Sequence, residues 1–361
     1  MGWTFMENSE KSFGGTIMGT DYAEGAHPDV LAALTRTNAE STPGYGSDIY
    51  CEKAQELIRG LCEAPGAAVY FFTGGTQVNA VTLGALLSPW QGVLAAGTAH
   101  ISLHEAGAVE NGGHKVIELP SYAGKLSPEE VRTYCSHYYG DETWEHIVMP
   151  GGIYLSQPTE YGTLYTLEEL CAFRAVCDEF GLFLYVDGAR LACALAAPEN
   201  DVCLSDLAGL SDAFYIGGNK CGALFGEALV VPDPKRLPHF FSVMKQHGAV
   251  LAKGRLLGVQ FLTLLQDGLY ERIGKHAVGM ADALRQGLDR IGAYQPIQSP
   301  TNQVFVKVSP RQYKALQARG LGGFWSHEED ESFTVRFVSS WATSLSDVET
   351  VLSVLSVKED E

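Results

Sequence analysis

From about residue 69 onward, short apolar runs alternate with longer stretches whose apolar positions recur at helical spacing. VYFF (69–72), VLAA (93–96), KVIEL (115–119), IYLS (153–156), LFLYVD (182–187), AFYI (213–216) and ALVV (228–231) read as strands. Most of these runs are apolar without alternation, as in strands covered on both faces of a largely parallel sheet. Between them, Ser127-Pro128-Glu129-Glu130 and Thr166-Leu167-Glu168-Glu169 both fit a capping box, with Pro128 at a first helical position. The second helix is expected to stop at Gly181, directly before LFLYVD. Strand–helix–strand repetition of this kind predicts an α/β fold with helices on both faces of the sheet.

After VVPDPKRLP the pattern changes. Residues 245–291 read as mainly helical, followed by strands at 303–309 and 333–340 and a capped helix from Ser346. The expected organisation is an N-terminal segment (1–20), a large α/β domain (21–250) and a smaller C-terminal α+β domain (251–361).

Composition narrows the class. A chain of 361 residues, 46% hydrophobic and 19% charged, describes a globular protein large enough for two domains. The net charge of −18, with no basic run, argues against nucleic acid or an anionic membrane as partner. The eight cysteines form no CxxC pair and read mostly as small buried hydrophobes. MGWTFMENSEKSF lacks the basic-then-apolar order of a signal peptide, and Met6 breaks the myristoylation pattern. No apolar run approaches the ~20 residues that span a bilayer. These features predict a soluble, reduced, cytoplasmic protein.

The chemistry starts at DAFYIGGNKCGALFGEA, where Lys220 is the only charge between Asp212 and Glu227. A lysine among apolar residues and glycine is either at the surface of a loop or buried for a covalent purpose. Asp187 ends the buried strand LFLYVD, with Arg190 on the following loop, where ligands of parallel sheets bind. In isolation the two could equally form a structural contact. A lysine and an acid facing one cleft suit pyridoxal phosphate, whose aldehyde carbon bonds a lysine and whose ring nitrogen is kept protonated by an acid. Gly217, Gly218 and Gly222 would then let the backbone pass close to a bulky cofactor. Gly74, Gly75 and Thr76, between a strand and a helix, suit its phosphate. His100 follows another strand end and could lie over the ring and handle protons. His104 and Glu105 read as a solvated or capping pair rather than as metal ligands, because HExxH is absent. Arg336, on the apolar strand FTVRFVSSW, could grip an amino acid's carboxylate through two parallel hydrogen bonds, or be a partly exposed strand arginine.

Together these segments resemble the threonine aldolase branch of the β-eliminating lyases, which are fold-type I pyridoxal-phosphate enzymes. The likeness runs through TDYAEGAHPDVLAAL, TPGYGSDIY, TGGTQVN, AHISLHEAGA, SQPTEYGTLYTLEEL, VDGARL, GGNKCGALFGEALV and RFVSSWAT. It implies a mostly parallel central sheet flanked by helices, with Lys220 bonded to the cofactor and Asp187 on its ring nitrogen. It also implies Arg190 near the phenolic oxygen, His100 on the ring, and Gly75 and Thr76 on the phosphate. Arg336 would bind the substrate carboxylate with Thr20 nearby, and Tyr45 would reach a neighbouring subunit's site in a homodimer or homotetramer. The chain departs from the family's commonest form at Gly74-Gly75-Thr76-Gln77, usually Ser-Gly-Thr-Met, and at Cys221-Gly222-Ala223, usually Gly-Leu-Gly.

The expected activity is cleavage of threonine or allo-threonine, or another β-hydroxy-α-amino acid, to glycine and an aldehyde. His100, directly or through a water, is the candidate base for the β-hydroxyl proton. The rivals are β-elimination, transamination or racemisation on the same cofactor, and a catalytically silent carrier of that cofactor.

Overall fold

The computed structural model describes residues 16–356, so most of the expected N-terminal segment and the whole of MGWTFMENSEKSF lie outside the described residues. Seven strands form the main sheet: β1 (Ala68–Phe72), β2 (Gln91–Ala96), β3 (Lys115–Leu119), β4 (Met149–Ser156), β5 (Phe183–Asp187), β6 (Ala213–Gly217) and β7 (Glu227–Val231). Their spatial order is β1-β7-β6-β5-β4-β2-β3. All neighbouring pairs are parallel except those of β7, which runs antiparallel to both β1 and β6. The carboxyl ends of β1, β2, β4, β5 and β6 therefore share one edge with the amino end of β7. That edge collects the polar side chains.

Strands β5, β6 and β7 are buried at every position, which is why their sequences show no alternation. β4 is longer at its start than the apolar signal IYLS, because Gly151 and Gly152 carry no hydrophobic side chain. A Cβ on Gly152 would lie 2.3 Å from the ring of Phe183 on the adjacent strand. Of the two expected capping boxes, only Thr166–Glu169 is reciprocal. Ser127 accepts a hydrogen bond from Glu129 N and receives no return from Glu130. The last helix is capped by Ser344 rather than starting at Ser346.

Two helices not named from the pattern, α1 (Pro28–Thr37) and α2 (Ile49–Leu61), precede β1, and α3 (Gly75–Leu86) follows it. A second sheet holds β8 (Gln303–Val308), β9 (Gly323–His327) and β10 (Phe333–Val338) in the antiparallel order β8-β10-β9. β9 is only half-buried and its sequence carries no apolar run. The large core runs from Ala26 to Ile273, and a separate core gathers Met18 with residues from Ala281 to Leu355. The long helix Leu269–Ile291 serves both, with Ile273 in the first core and Leu284 in the second. The expected boundary near 250 thus falls ahead of the change of core, because Leu257, Phe261 and Leu264 still pack into the large one.

Residues 16–20 join the small sheet. Ile17 N donates to Gly320 O at 2.8 Å, and Val338 N donates to Met18 O at 2.8 Å. Among the described residues no helix is long and apolar enough to cross a membrane. Six of the eight cysteines are buried and none is in a disulfide.

Candidate active site

The turns after the strand ends enclose a cavity of about 460 Å³ lined by Gly75, Thr76, His100, Asp187, Arg190 and Lys220, among others. A second cavity of about 690 Å³ shares His100, Arg190 and Lys220 with the first and extends to Trp325 and Arg336 of the small sheet. The cleft therefore lies between the two sheets.

Asp187 is buried at the cavity wall, and both of its carboxylate oxygens accept hydrogen bonds. Oδ2 accepts from Tyr154 Oη at 2.6 Å and Asn79 Nδ2 at 3.0 Å, while Oδ1 accepts from Tyr215 Oη and from Ala189 N at 3.0 Å. Burial alone would raise its pKa. The phenols, the amide and the charge of His100 outweigh that, so the group stays below its ordinary value and ionised. The partners come from the centres of adjacent buried strands, β4 for Tyr154 and β6 for Tyr215. Tyr185 of β5 donates to Asn79 Oδ1 at 2.9 Å and so fixes the amide that serves Asp187. A tyrosine inside an otherwise aliphatic, doubly covered strand must find an acceptor. That was the available signal for this network, and the sequence reading did not use it.

Lys220 sits in the turn after β6. Its Nζ makes no hydrogen bond or ion pair among the described residues, and burial, then the charge of Arg190, lowers its pKa. The turn is held from β7: Glu227 accepts from Gly218 N at 2.9 Å and from Asn219 Nδ2 at 2.8 Å. Asn219 Nδ2 also reaches Thr73 O at 3.3 Å, tying the lysine turn to the loop before α3. Burial pushes the Glu227 carboxyl up to about 8.

The nearby glycines serve a different purpose from cofactor clearance. A Cβ on Gly217 would meet Ala189 O at 2.4 Å, and Gly222 has φ +93°. They admit neighbouring chain and a left-handed turn, respectively.

Gly74 caps α3 without a side-chain hydrogen bond. The first amides of that helix therefore have no side-chain acceptor at the cap, and Gly75 and Thr76 line the cavity. Gly74 itself is set back from the cavity wall.

His100 Nδ1 lies 2.7 Å from Glu105 Oε1, which also accepts from Asn79 Nδ2 at 2.7 Å. Glu105 is buried, so it is not the solvated or capping residue expected. The short turn after His100 points it back under the sheet edge, and its Oε2 has no partner. His104 remains exposed.

Arg190 does not contact Asp187. Its Nε and Nη2 donate to Asp21 at 2.6 and 3.0 Å, and Asn302 Nδ2 donates to the same carboxylate at 3.0 Å. Burial would raise Asp21, but Arg190 and Lys220 hold it below the usual carboxylate range. Thr20 is half-buried beside it and lines neither cavity, whereas Tyr22 lines both.

Arg336 lies in the wall of the second cavity, its guanidinium 5.1 Å over the Trp325 ring. Nη1 donates to Gln303 Oε1 at 3.3 Å, and Nε is buried with no partner. Burial and then Arg190 push its pKa down to about 10. Tyr45 is 49% exposed, packs under Lys245 and lines a separate surface hollow. Within one chain it does not reach Lys220. Beyond Asp21, Asn79 and Glu227, the sequence reading also passed over Glu160, which lines both cavities.

The beta-eliminating lyase family model matches residues 20–310. Over 335 residues, 90% of this chain and 93% of the relative, the sequence is 31% identical to a low specificity L-threonine aldolase of Pseudomonas aeruginosa. The structure of a threonine aldolase from Leishmania major superposes with a TM-score of 0.89 at 39% identity, covering 94% of this chain and 98% of that one. An aspartate aminotransferase mutant of Thermus thermophilus, 18% identical with a TM-score of 0.68 over 92% of this chain and 88% of its own, shares the fold.

Proposed function

Because the chain belongs to the beta-eliminating lyase family, we propose that it is a pyridoxal-phosphate-dependent threonine aldolase, cleaving threonine or allo-threonine to glycine and acetaldehyde. The observation that carries this reading is one cleft that holds both a lysine with no partner among the described residues and an aspartate with four. A structural lysine would be paired, and a structural aspartate would not need Tyr154, Tyr215 and Asn79 to keep it ionised in the sheet edge.

The residues fit pyridoxal 5'-phosphate. The uncapped start of α3, with Gly75 and Thr76, offers amides and a hydroxyl to a dianion. Gly74 would shape that loop from behind. Asp187 would hold the ring nitrogen, His100 a ring face, Arg190 the phenolic oxygen and Lys220 the aldehyde carbon. When bound, the cofactor supplies an electron sink for the pair released at the amino acid's α-carbon.

The remaining work falls to the chain's own side chains. Asp187, held ionised, keeps a proton on whatever nitrogen faces it. Lys220, its pKa lowered by burial and by the charge of Arg190, gives up its proton more readily than a solvated lysine. Arg336 would bind the substrate carboxylate through its free Nε edge, with Trp325 behind it keeping the guanidinium in plane. Thr20 would support that end of the cleft from the second rank, behind Asp21. We read Tyr45, exposed on its own chain, as serving a neighbour's cleft in a homodimer or homotetramer; a monomer by light scattering removes that part of the reading.

Elimination, transamination and racemisation would need the same cofactor residues. The assay that separates them incubates the loaded enzyme with threonine and measures products. Glycine and acetaldehyde in equal amounts are expected, and a 2-oxo acid with ammonia in their place overturns the aldolase reading.

A further inference from the structure

We infer that Glu160 is a catalytic residue of the cleavage, the group that takes the proton of the substrate's β-hydroxyl. The inference rests on the aldolase reading above. Five residues line both cavities, and Glu160 is the only carboxyl among them, beside Tyr22, His100, Arg190 and Lys220. The amino acid's nitrogen belongs on the Lys220 side and its carboxylate on the Arg336 side, so the α-carbon that bears the β-carbon falls near the seam that Glu160 lines.

The carboxyl is half fixed and half free. Its Oε1 accepts from His100 N at 2.9 Å and from Ser156 Oγ at 2.7 Å. Oε2 receives no hydrogen bond from another described residue. Two donors on one oxygen aim the group, and the second oxygen is left for a ligand proton. Burial, and after it the negative charge of Asp187, raises the proton affinity of this carboxyl above the ordinary glutamate value.

The other acids and bases of the cleft are otherwise engaged. Asp187 has four donors and is held below its ordinary pKa. Glu227 is spent on Gly218 N and Asn219 and does not reach the second cavity. The Nδ1 of His100 lies 2.7 Å from Oε1 of the buried Glu105, so that edge of its ring is already engaged within the protein. His104 is exposed and lines only the second cavity, away from the seam. On this inference, Glu160 takes the part expected of His100 from the sequence.

The step balances without any further reagent. The β-hydroxyl proton passes to Glu160 Oε2, and the O–H pair becomes the second carbon–oxygen bond of the aldehyde. The Cα–Cβ bond breaks with its pair left on Cα, and one proton returned to Cα completes glycine. The sum is threonine to glycine plus acetaldehyde.

The test compares Glu160→Gln and Glu160→Asp with the wild-type holoenzyme. Glutamine keeps an acceptor for His100 N and Ser156 but cannot take the proton. Its kcat for threonine should fall about 100-fold or more, the usual worth of a general base, while KM moves less than about threefold. Glycine has no β-hydroxyl, so its calorimetric Kd should stay within about threefold of wild type, and Glu160→Asp should recover part of kcat. A glutamine variant that cleaves threonine at near wild-type kcat overturns the inference. So does loss of glycine binding in proportion to kcat in both variants, which would mean that Glu160 only supports the His100 loop. If the wild type itself releases no glycine from threonine, the aldolase reading fails first and takes this inference with it.

Discussion

Asp187 and Arg336 are both charged side chains largely withdrawn from water, one ending β5 and the other inside β10, the central strand of the small sheet. Around Asp187 both oxygens accept hydrogen bonds, from two phenols, an amide and a backbone N–H. Around Arg336 there is one weak amide contact at 3.3 Å, a tryptophan face and a buried Nε with nothing to donate to. A buried donor without a partner costs about 1–3 kcal/mol, so the substrate side of the cleft holds unspent binding capacity. The cofactor side is already relaxed around its charge and rigid. The first arrangement suits a resident group that must stay oriented, the second a ligand that arrives and leaves with each turnover.

Four perturbations test that contrast. Lys220→Ala removes the residue common to both sides, and the purified variant should lose activity to the detection limit together with the visible absorbance band of bound cofactor. Retention of both would remove the lysine from the centre of the site. Asp187→Asn keeps the shape but not the charge, and kcat should drop on the order of 100- to 1000-fold, as for loss of a preorganised electrostatic group. Cofactor should still be recovered with the variant. Near-normal turnover would mean that the hydrogen-bonded network is structural only. Arg336→Lys replaces a two-pronged donor with a point charge and should weaken amino-acid binding by about 2–3 kcal/mol. The loss should appear in the KM for threonine and the Kd for glycine, and unchanged values for both would place the carboxylate elsewhere.

The smallest effect is one of stability. Asp21 titrates below its unfolded value, so its contribution is complete above the unfolded carboxyl pKa near ~3.9 and drains as pH falls through the lower folded value. Asp21→Asn lacks that titration. The gap in unfolding free energy between wild type and variant, read by urea denaturation, should therefore be widest near neutrality and narrow as pH falls below the unfolded carboxyl value. A gap independent of pH would show that the Arg190 contact does not depend on the charge of Asp21.

The parts legible in the sequence were those that repeat or punctuate. Doubly covered strands such as FLYVD and AFYIG announce themselves by unbroken apolarity, and Asp187 and Lys220 stand out because they end or follow such runs. Glu105 was misread because a carboxylate five residues past a histidine looks like helix surface until the short turn at residues 100–103 folds it under the sheet. Glu160 and Glu227 were passed over for a related reason. Each stands beside residues with strong signals of their own, and only the reversed direction of β7 brings Glu227 back to the lysine. β9 was invisible because half-exposed GFWSH has neither alternation nor an apolar run. Long-range pairings such as Arg190 with Asp21, separated by 169 residues, have no local signature at all.

That last pairing bears on how such a site can be inherited. The Asp21 carboxylate takes hydrogen bonds from Arg190, on the loop after β5, and from Asn302, just ahead of β8, positions 169 and 281 residues away. A crossover between two related genes anywhere from residue 22 to residue 301 would draw Asp21 from one parent and Asn302 from the other. Chimeras assembled from whole domains would keep each core intact and still mismatch this junction, leaving a buried guanidinium or carboxylate without its complement. The two halves of the protein can therefore drift apart in sequence over most of their surfaces, but around Asp21 they must change together.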